Sequence, residues 1–234
     1  MNEREALTQG LAELHMGFPQ AVENLVHFSD LLLEKNKVMN LTAVTEPMEV
    51  VTRHFLDCAA AGAMLGLEGR TLVDVGCGAG FPGMPLALLA PGLQVTLLDS
   101  LGKRIRFLND CIAEIGVPNA VAVHARAEEF AVAHREQFDL ATSRAVARMN
   151  VLAELSLPLV KVGGVFAAMK STGCDGELRE AGQAIRLLGG EVEAVHDYHV
   201  PLTDVTQRLV VVRKVKPTPG KYPRPFRKIS AAPL

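Results

Sequence analysis

Two periodicities divide the chain. Over the first 65 residues apolar side chains return every three or four positions, as with Val22, Leu25, Val26, Leu32 and Leu33, the spacing of one helical face. From Thr71 the pattern changes to short apolar runs, TLVDV, LQVTLLD, AVAVHA, FDLATS and GGVFAAM, separated by amphipathic stretches. Such alternation predicts parallel strands joined by right-handed helical crossovers, hence an α/β sheet. Leu101, Ile105, Leu108, Ile112 and Ile115 form one helical stripe that Gly116 can end. Leu178, Ala181, Ile185 and Leu188 form another, with Gly189 as its stop. The last two runs, VEAVHDYHV and QRLVVVRKV, lie a short connection apart, which predicts an antiparallel pair at the sheet edge. The expected organisation is a helical extension over residues 1–65, a sheet domain over 66–216 and a basic tail over 217–234.

Composition narrows the class. At 234 residues the chain can bury a real core, and 49% hydrophobic against 21% charged residues is too apolar for a disordered protein. Val75 to Leu98 carries no charge and could cross a bilayer by length alone, but its five glycines and three prolines predict a buried strand, loop, helix and strand instead. The first residues, MNEREALTQG, are polar and acidic, and no signal peptide is expected. Cys58, Cys77, Cys111 and Cys174 are scattered with no C-x-x-C, which suggests neither a zinc knuckle nor a redox pair, and points to a reducing cytoplasm. The net charge of −2 conceals seven basic residues and no acid in the last 22 positions, a handle for phosphates or simply a solvated terminus.

The chemistry concentrates at predicted strand ends. VDVGCGAGFPG closes the first strand, where Gly76, Gly78 and Gly80 let the backbone turn tightly and approach a ligand at the start of the next helix. Pro82 and Pro85 fall in the first turn of that helix, where a missing N–H costs little. Asp99 ends the second strand, where an acid meets ribose hydroxyls in such folds. A nucleoside-bearing ligand is expected here. Gly78, Gly80 and Gly83 also satisfy the G-x-G-x-x-G of NAD binders. Two features favour S-adenosylmethionine: Asp74 precedes the first glycine, where its carboxylate can serve a ligand amino group, and no Tyr-x-x-x-Lys pair occurs.

Further along, HARAEEF ends the third strand and places Ala127 and Glu128 on the adenine side of the cleft. TSRAVARMN places Arg144 at the end of the fourth strand and Arg148 just beyond. Lys103 and Arg104 fall in the first turn of a helix, where the dipole disfavours positive charge, and such conflicts gather at functional sites. Lys103, Arg104 and Arg148 are therefore expected to rim the cleft and meet phosphates, together with Lys221 and Arg224 of the tail. His196 and His199, three apart in a strand, point to opposite faces, and no metal is expected. His54 reads as a satisfied core histidine that could alternatively face the cleft.

Taken together with MNLTAV and RHFLDC, the stretches DVGCGAGFPG, LLDSLGKRIRFL, RAEEF, SRAVA and KYPR resemble the bacterial rRNA small subunit methyltransferase G family, also called glucose-inhibited division protein B. The resemblance runs from about Asn40 to Pro223, after which the tail departs from the family's usual continuation and reads PFRKISAAPL. It implies a Rossmann-like, S-adenosylmethionine-dependent methyltransferase with a mostly parallel seven-stranded sheet. It also implies cofactor contacts at Gly76, Phe81, Ala127, Glu128 and Arg144, and methylation of N7 of one guanine in 16S ribosomal RNA, giving 7-methylguanosine. The expected substrate is a small-subunit particle and the expected enzyme a cytoplasmic monomer. Guanine N7 carries no proton, so no general base is expected and placement should dominate. No Pro-Pro dipeptide of an exocyclic-amine methylase occurs, and no cysteine follows Pro or Thr as a cytosine C5 methylase would require. A small-molecule methyltransferase and a non-catalytic ribosome-assembly factor are the competing readings. Truncation after Val212 should separate the first of these from an RNA enzyme.

Overall fold

The computed structural model of the chain describes every residue except Phe18, Ala145 and Val146. The last two belong to the SRAVA motif, so that part of the motif lies outside the described residues. Seven strands form one sheet: β1 Thr71–Val75, β2 Gln94–Asp99, β3 Ala120–His124, β4 Phe138–Arg144, β5 Val160–Ser171, β6 Gly190–His199 and β7 Thr206–Lys214. Their order is β3-β2-β1-β4-β5-β7-β6, with β1 to β5 parallel and β7 antiparallel to both neighbours. The expected antiparallel pair thus sits at the edge, with β6 outermost. Strand order reverses between β1 and β4, and ligands of open α/β sheets collect at such a switch point.

Strand side chains alternate between the two faces, and each face meets its own helices. Leu72, Leu97, Leu140, Val165, Ala167, Leu209 and Val211 share one apolar cluster. Helices α1 Glu3–Glu13, α2 Pro19–Met39, α3 Pro47–Val50, α4 Asp57–Ala63, α5 Gly83–Leu89 and α6 Gly102–Ile115 cover that face. Val73, Leu98, Ala141, Phe166, Ala168, Val210 and Val212 point the other way, against α7 Ala127–Ala133, α8 Met149–Ser156, α9 Asp175–Leu187 and α10 Phe226–Ala231. The strands read as nearly continuous apolar runs because both faces are buried. The helical extension shares one core with the sheet: Leu25, Phe28 and Phe55 are fully buried in the first cluster.

The two glycine stops hold. Gly116 closes α6 in the left-handed conformation (φ 75°), and Gly189 follows α9 at φ 86°, where a Cβ would strike the Lys216 carbonyl. Strand β5 starts earlier than its apolar run suggests, at Val160 rather than at the glycine pair. The register slips between Phe138 and Leu140 of β4, and Gly163 at φ 89° absorbs the irregularity. Between α3 and α4 the chain forms a π-helical turn, Val51–Leu56, that carries most of RHFLDC. No periodicity argument anticipates it, and such turns gather at functional sites.

The C-terminal segment is a strap rather than a solvated tail. Arg135 donates to the carbonyls of Thr218, Pro219 and Tyr222. Lys214, fully buried, reaches the Thr218 hydroxyl at 2.7 Å and Glu136 at 3.0 Å. Ile229 of α10 is fully buried in the second cluster. Removing the chain after Val212 would therefore take away core contacts, so truncation cannot report on RNA binding alone. No helix among the described residues is long and apolar enough to cross a membrane.

Candidate active site

The loop after β1 is shaped by contacts that leave no room for side chains. Gly80 sits at φ 105°, where a Cβ would lie 2.8 Å from Leu108 Cδ2, and a Cβ on Gly83 would lie 2.9 Å from Asp74 Oδ2. Gly78, at φ 60°, instead has open space beside it, which leaves its backbone approachable. Two acids hold the loop. Asp74, fully buried, accepts the Gly83 N–H at 2.7 Å through Oδ2. Asp99 accepts the Gly78 N–H at 3.0 Å and the Leu101 N–H at 2.8 Å.

The second oxygen of Asp74, Oδ1, is buried with no partner among the described residues. Burial pushes this carboxyl up to about 7, partly offset by the Gly83 N–H and by the Arg144 cation. A buried acid with a vacant oxygen beside an approachable glycine backbone fits a ligand that brings an ammonium group. The donor set thus suits the amino-acid end of S-adenosylmethionine, and Asp99 retains acceptor capacity for ribose.

Arg144 ends β4 and occupies the switch point between β1 and β4. Its Nη1 donates to Asp57 Oδ2 at 3.1 Å and to the Arg53 carbonyl at 3.3 Å, and its guanidinium lies 4.9 Å from the Phe81 ring centroid. Its Nη2 lies 3.0 Å from His54 Nδ1, which is also 3.0 Å from the Arg53 carbonyl, while His54 Nε2 lies 3.0 Å from Thr42 Oγ1. Burial, reinforced by the Arg144 charge, lowers His54 to about 3, so the imidazole is neutral at physiological pH. His54 is thus not an interior histidine: it is half-buried, packs 4.4 Å from the Phe81 ring and lines a cavity. Asp57 completes the group by accepting the Tyr198 hydroxyl at 2.7 Å. Burial raises its carboxyl, and Tyr198 and Arg144 pull it partly back.

The other anticipated residues divide. Lys103 is exposed, whereas Arg104 folds back onto Asp99 at 3.2 Å, over the acid expected to meet ribose. Arg148 precedes α8 and pairs with Glu180, both 60% exposed, a pair that solvent competition keeps weak. Lys221 is exposed. Arg224 differs from all of these: its Nε and Nη2 grip Glu154, which is 0% exposed, so this arginine neutralises a buried acid and the expectation of a phosphate contact is corrected. Ala127 packs against the second core cluster, and Glu128 accepts the Phe226 N–H of α10 at 3.3 Å, tying the start of α7 to the strap.

Sequence reasoning missed Asp57 and Tyr198. Asp57 lies on the turn of RHFLDC one helical step beyond His54, a spacing that could have flagged it, while Tyr198 is 141 residues away and gave no local sign. A cavity of about 630 Å³ opens beside this group, floored by the ends of β4, β5, β6 and β7. Burial raises the thiols of Cys58, Cys77 and Cys111 above their usual range, so none is a ready nucleophile. Among the described residues no group of three or more His, Cys, Asp or Glu could hold a metal ion.

Known proteins with similar sequences bear on this cleft. The family model described as GidB, rRNA small subunit methyltransferase G, matches residues 21–209. The ribosomal RNA small subunit methyltransferase G of Alkaliphilus oremlandii is 43% identical, with both chains covered in full. That of Alkaliphilus metalliredigens is 46% identical over 96% of this chain and 95% of its own. Among solved structures, M. jannaschii TYW2 in complex with AdoMet superposes with a TM-score of 0.53 at 14% identity, covering 67% of this chain and 72% of that one, a likeness of fold alone.

Proposed function

Because the chain belongs to the rRNA small subunit methyltransferase G family, we propose that it is a cytoplasmic, monomeric enzyme that methylates N7 of one guanine in 16S ribosomal RNA within a small-subunit particle. The observation that carries the reading is the meeting of three strand ends in a member of that family: the glycine loop after β1, Asp99 after β2 and Arg144 after β4. Bound there, S-adenosylmethionine supplies a methyl group on a sulfonium, an electrophile whose leaving group is a neutral thioether.

The protein's own part is placement. Asp99 and the Gly76 and Gly78 backbone take the ribose side, Ala127 and Glu128 flank the base, and Asp74 serves the ammonium group directly or through the loop. Arg144, stacked over Phe81 of the glycine loop, also lines the neighbouring cavity, so the two spaces meet at this side chain. Guanine N7 has a free lone pair and no proton to lose, so no residue acts as general base. The N7 edge of a paired guanine faces a groove too narrow for side chains in A-form RNA, so the target must be unpaired or everted. Lys103, Arg148 and Lys221 offer exposed charge to the backbone around it.

The test is mass-spectrometric mapping of modified nucleosides in rRNA from cells with and without the protein. Loss of one 7-methylguanosine from the small-subunit RNA is expected. An unchanged modification map would overturn the assignment.

A further inference from the structure

Of the residues assigned to the cofactor, only Arg144 lines the 630 Å³ cavity. It lies across Arg144 and His54 from the glycine loop, between the π-helical turn and the carboxyl ends of β4 and β5. Its volume lies within the ~300–1,000 Å³ of small-ligand pockets, ample for one nucleotide. Its lining is mixed: Met169, Val200 and Val205 are apolar, while Asp57, Glu177 and Gln207 are polar.

We propose that this cavity receives the everted acceptor guanine, with Glu177 reading its Watson–Crick edge so that N7 is turned toward Arg144, Phe81 and the cofactor cleft. The inference rests on the methyltransferase reading above and adds to it the acceptor's seat and the residue that selects it.

Three observations lead there. First, the two carboxylates of the wall differ in their remaining capacity. Asp57 already has Tyr198 on Oδ1 and Arg144 on Oδ2. Glu177 spends Oε1 on the Lys170 ammonium, at 2.6 Å, and on the Met149 N–H, while its Oε2 has no hydrogen-bond partner among the described residues. Guanine is the one standard base whose Watson–Crick edge presents two adjacent donors, N1–H and the 2-amino group. A carboxylate oxygen held in place by a lysine is suited to accept from that edge.

Second, the sheet fixes the span. Phe81 follows β1, whereas Glu177 follows β5, two strands further along the order β1-β4-β5, or roughly 10 Å at the usual strand spacing. A purine anchored by its Watson–Crick edge at the β5 side extends its N7 edge back toward the β1 side.

Third, the wall is close to electroneutral. Arg144 is matched by Asp57 and Lys170 by Glu177, the exposed Arg53 of the lining faces Glu49 at 3.7 Å, and His54 is uncharged. In the reaction N7 gains both the methyl group and the positive charge that sulfur loses, and no proton moves. An unbalanced cation beside the ring would oppose that charge, and each cation of the lining has a carboxylate beside it.

The test uses two blocking variants placed on different elements. Val205 and Ser171 line the cavity, and both are exposed, so a larger side chain at either is tolerated by the fold. Val205→Trp and Ser171→Trp are each expected to bind S-adenosylmethionine within twofold of wild type by calorimetry while single-turnover methylation of small-subunit particles falls at least a hundredfold. Glu177→Gln keeps the size and the Oε1 acceptor but turns a donor toward guanine. It is expected to lower kcat/KM for particles at least tenfold, with cofactor affinity unchanged. Near-wild-type methylation by both tryptophan variants would overturn the pocket, and a Glu177→Gln loss accompanied by an equal loss of cofactor affinity would overturn the reading role. Should a tryptophan variant misfold, Glu177→Gln decides. A wild-type protein that binds no S-adenosylmethionine, or leaves rRNA unmethylated, would instead bring down the function and not the geometry.

Discussion

Buried charge occurs in two regions of this protein, and it is handled in opposite ways. Under the strap the buried charges have their partners: Lys214 reaches two carbonyls, a hydroxyl and Glu136, and Glu154 is held by Arg224 through both oxygens. At the carboxyl end of β1 a buried acid is left short. Asp74 keeps one oxygen without a partner among the described residues, whereas Asp57, raised by burial, is held on both oxygens by Tyr198 and Arg144. Full satisfaction serves stability, because an unpaired buried group costs more than a made hydrogen bond returns. Vacant capacity in a buried acid costs stability and is retained where a ligand completes it. The distinction separates arginines that look alike in the sequence, for Arg224 belongs to the first region and Arg144 to the second.

The largest effect is expected from breaking the satisfied region. Arg224→Ala leaves Glu154 buried and uncompensated, which should cost about 3–5 kcal/mol, read as a fall in the denaturant midpoint. Cofactor affinity measured well below that midpoint should be unchanged. A variant of normal stability that has lost rRNA binding would return Arg224 to the RNA surface.

The unsatisfied region should respond in the other direction. Asp74 is raised from 3.8 to about 7 in the folded chain, so between those pH values the folded state holds a proton that the unfolded state has released. Stability from this group is therefore present at low pH and is lost as pH rises toward 7. Asp74→Asn removes the titration but keeps an acceptor for Gly83. Its stability relative to wild type should grow between pH 4 and 7, by up to about 4 kcal/mol at 1.36 kcal/mol per unit, and then level off. His54, lowered to about 3, acts oppositely below pH 6.5, so the difference between the two proteins rather than either curve isolates Asp74. A flat difference across this range would mean that the carboxylate is already satisfied.

A smaller effect sharpens the role of Asp99. Asp99→Ala should weaken S-adenosylmethionine binding by roughly 1–3 kcal/mol, the scale of a charge-assisted hydrogen bond. Because Arg104 lies on the same carboxylate, Arg104→Ala should leave calorimetric affinity equal to or better than wild type. Unchanged affinity in Asp99→Ala would reject the ribose assignment, and a loss in Arg104→Ala would make that arginine part of the cofactor site.

What could be read without coordinates follows the same division. The glycine loop, Asp99 and Arg144 were legible because each is a local event, a strand end meeting a turn, and the strands were legible because each is a short apolar run, which is local too. The strap was not, because the Arg224–Glu154 pair joins residues 70 apart, and the charge count of the tail invited a solvated arm. Likewise His54 reads as a core residue until the π-helical turn swings RHFLDC onto the end of β4. Sequence indicates which groups carry charge, whereas only the fold decides which of them stay unsatisfied.

The smallest expected change in stability falls at Arg148, and it tests the comparison at its margin. Its pair with Glu180 is exposed on both sides, so Arg148→Ala should leave the melting temperature near wild type. If Arg148 trades Glu180 for a phosphate, binding to the small-subunit particle should weaken, and the slope of log affinity against log salt should become shallower by about one. Glu180→Gln should do the reverse in affinity by freeing the arginine, with stability again unmoved. Arg224→Ala, whose charge is already spent inside the protein, should leave that slope as it is in wild type. A salt slope that is insensitive to Arg148 would show that an exposed, weakly paired arginine near the cleft is not by that fact an RNA contact, and would shift the phosphate-binding role to Lys103 and Lys221.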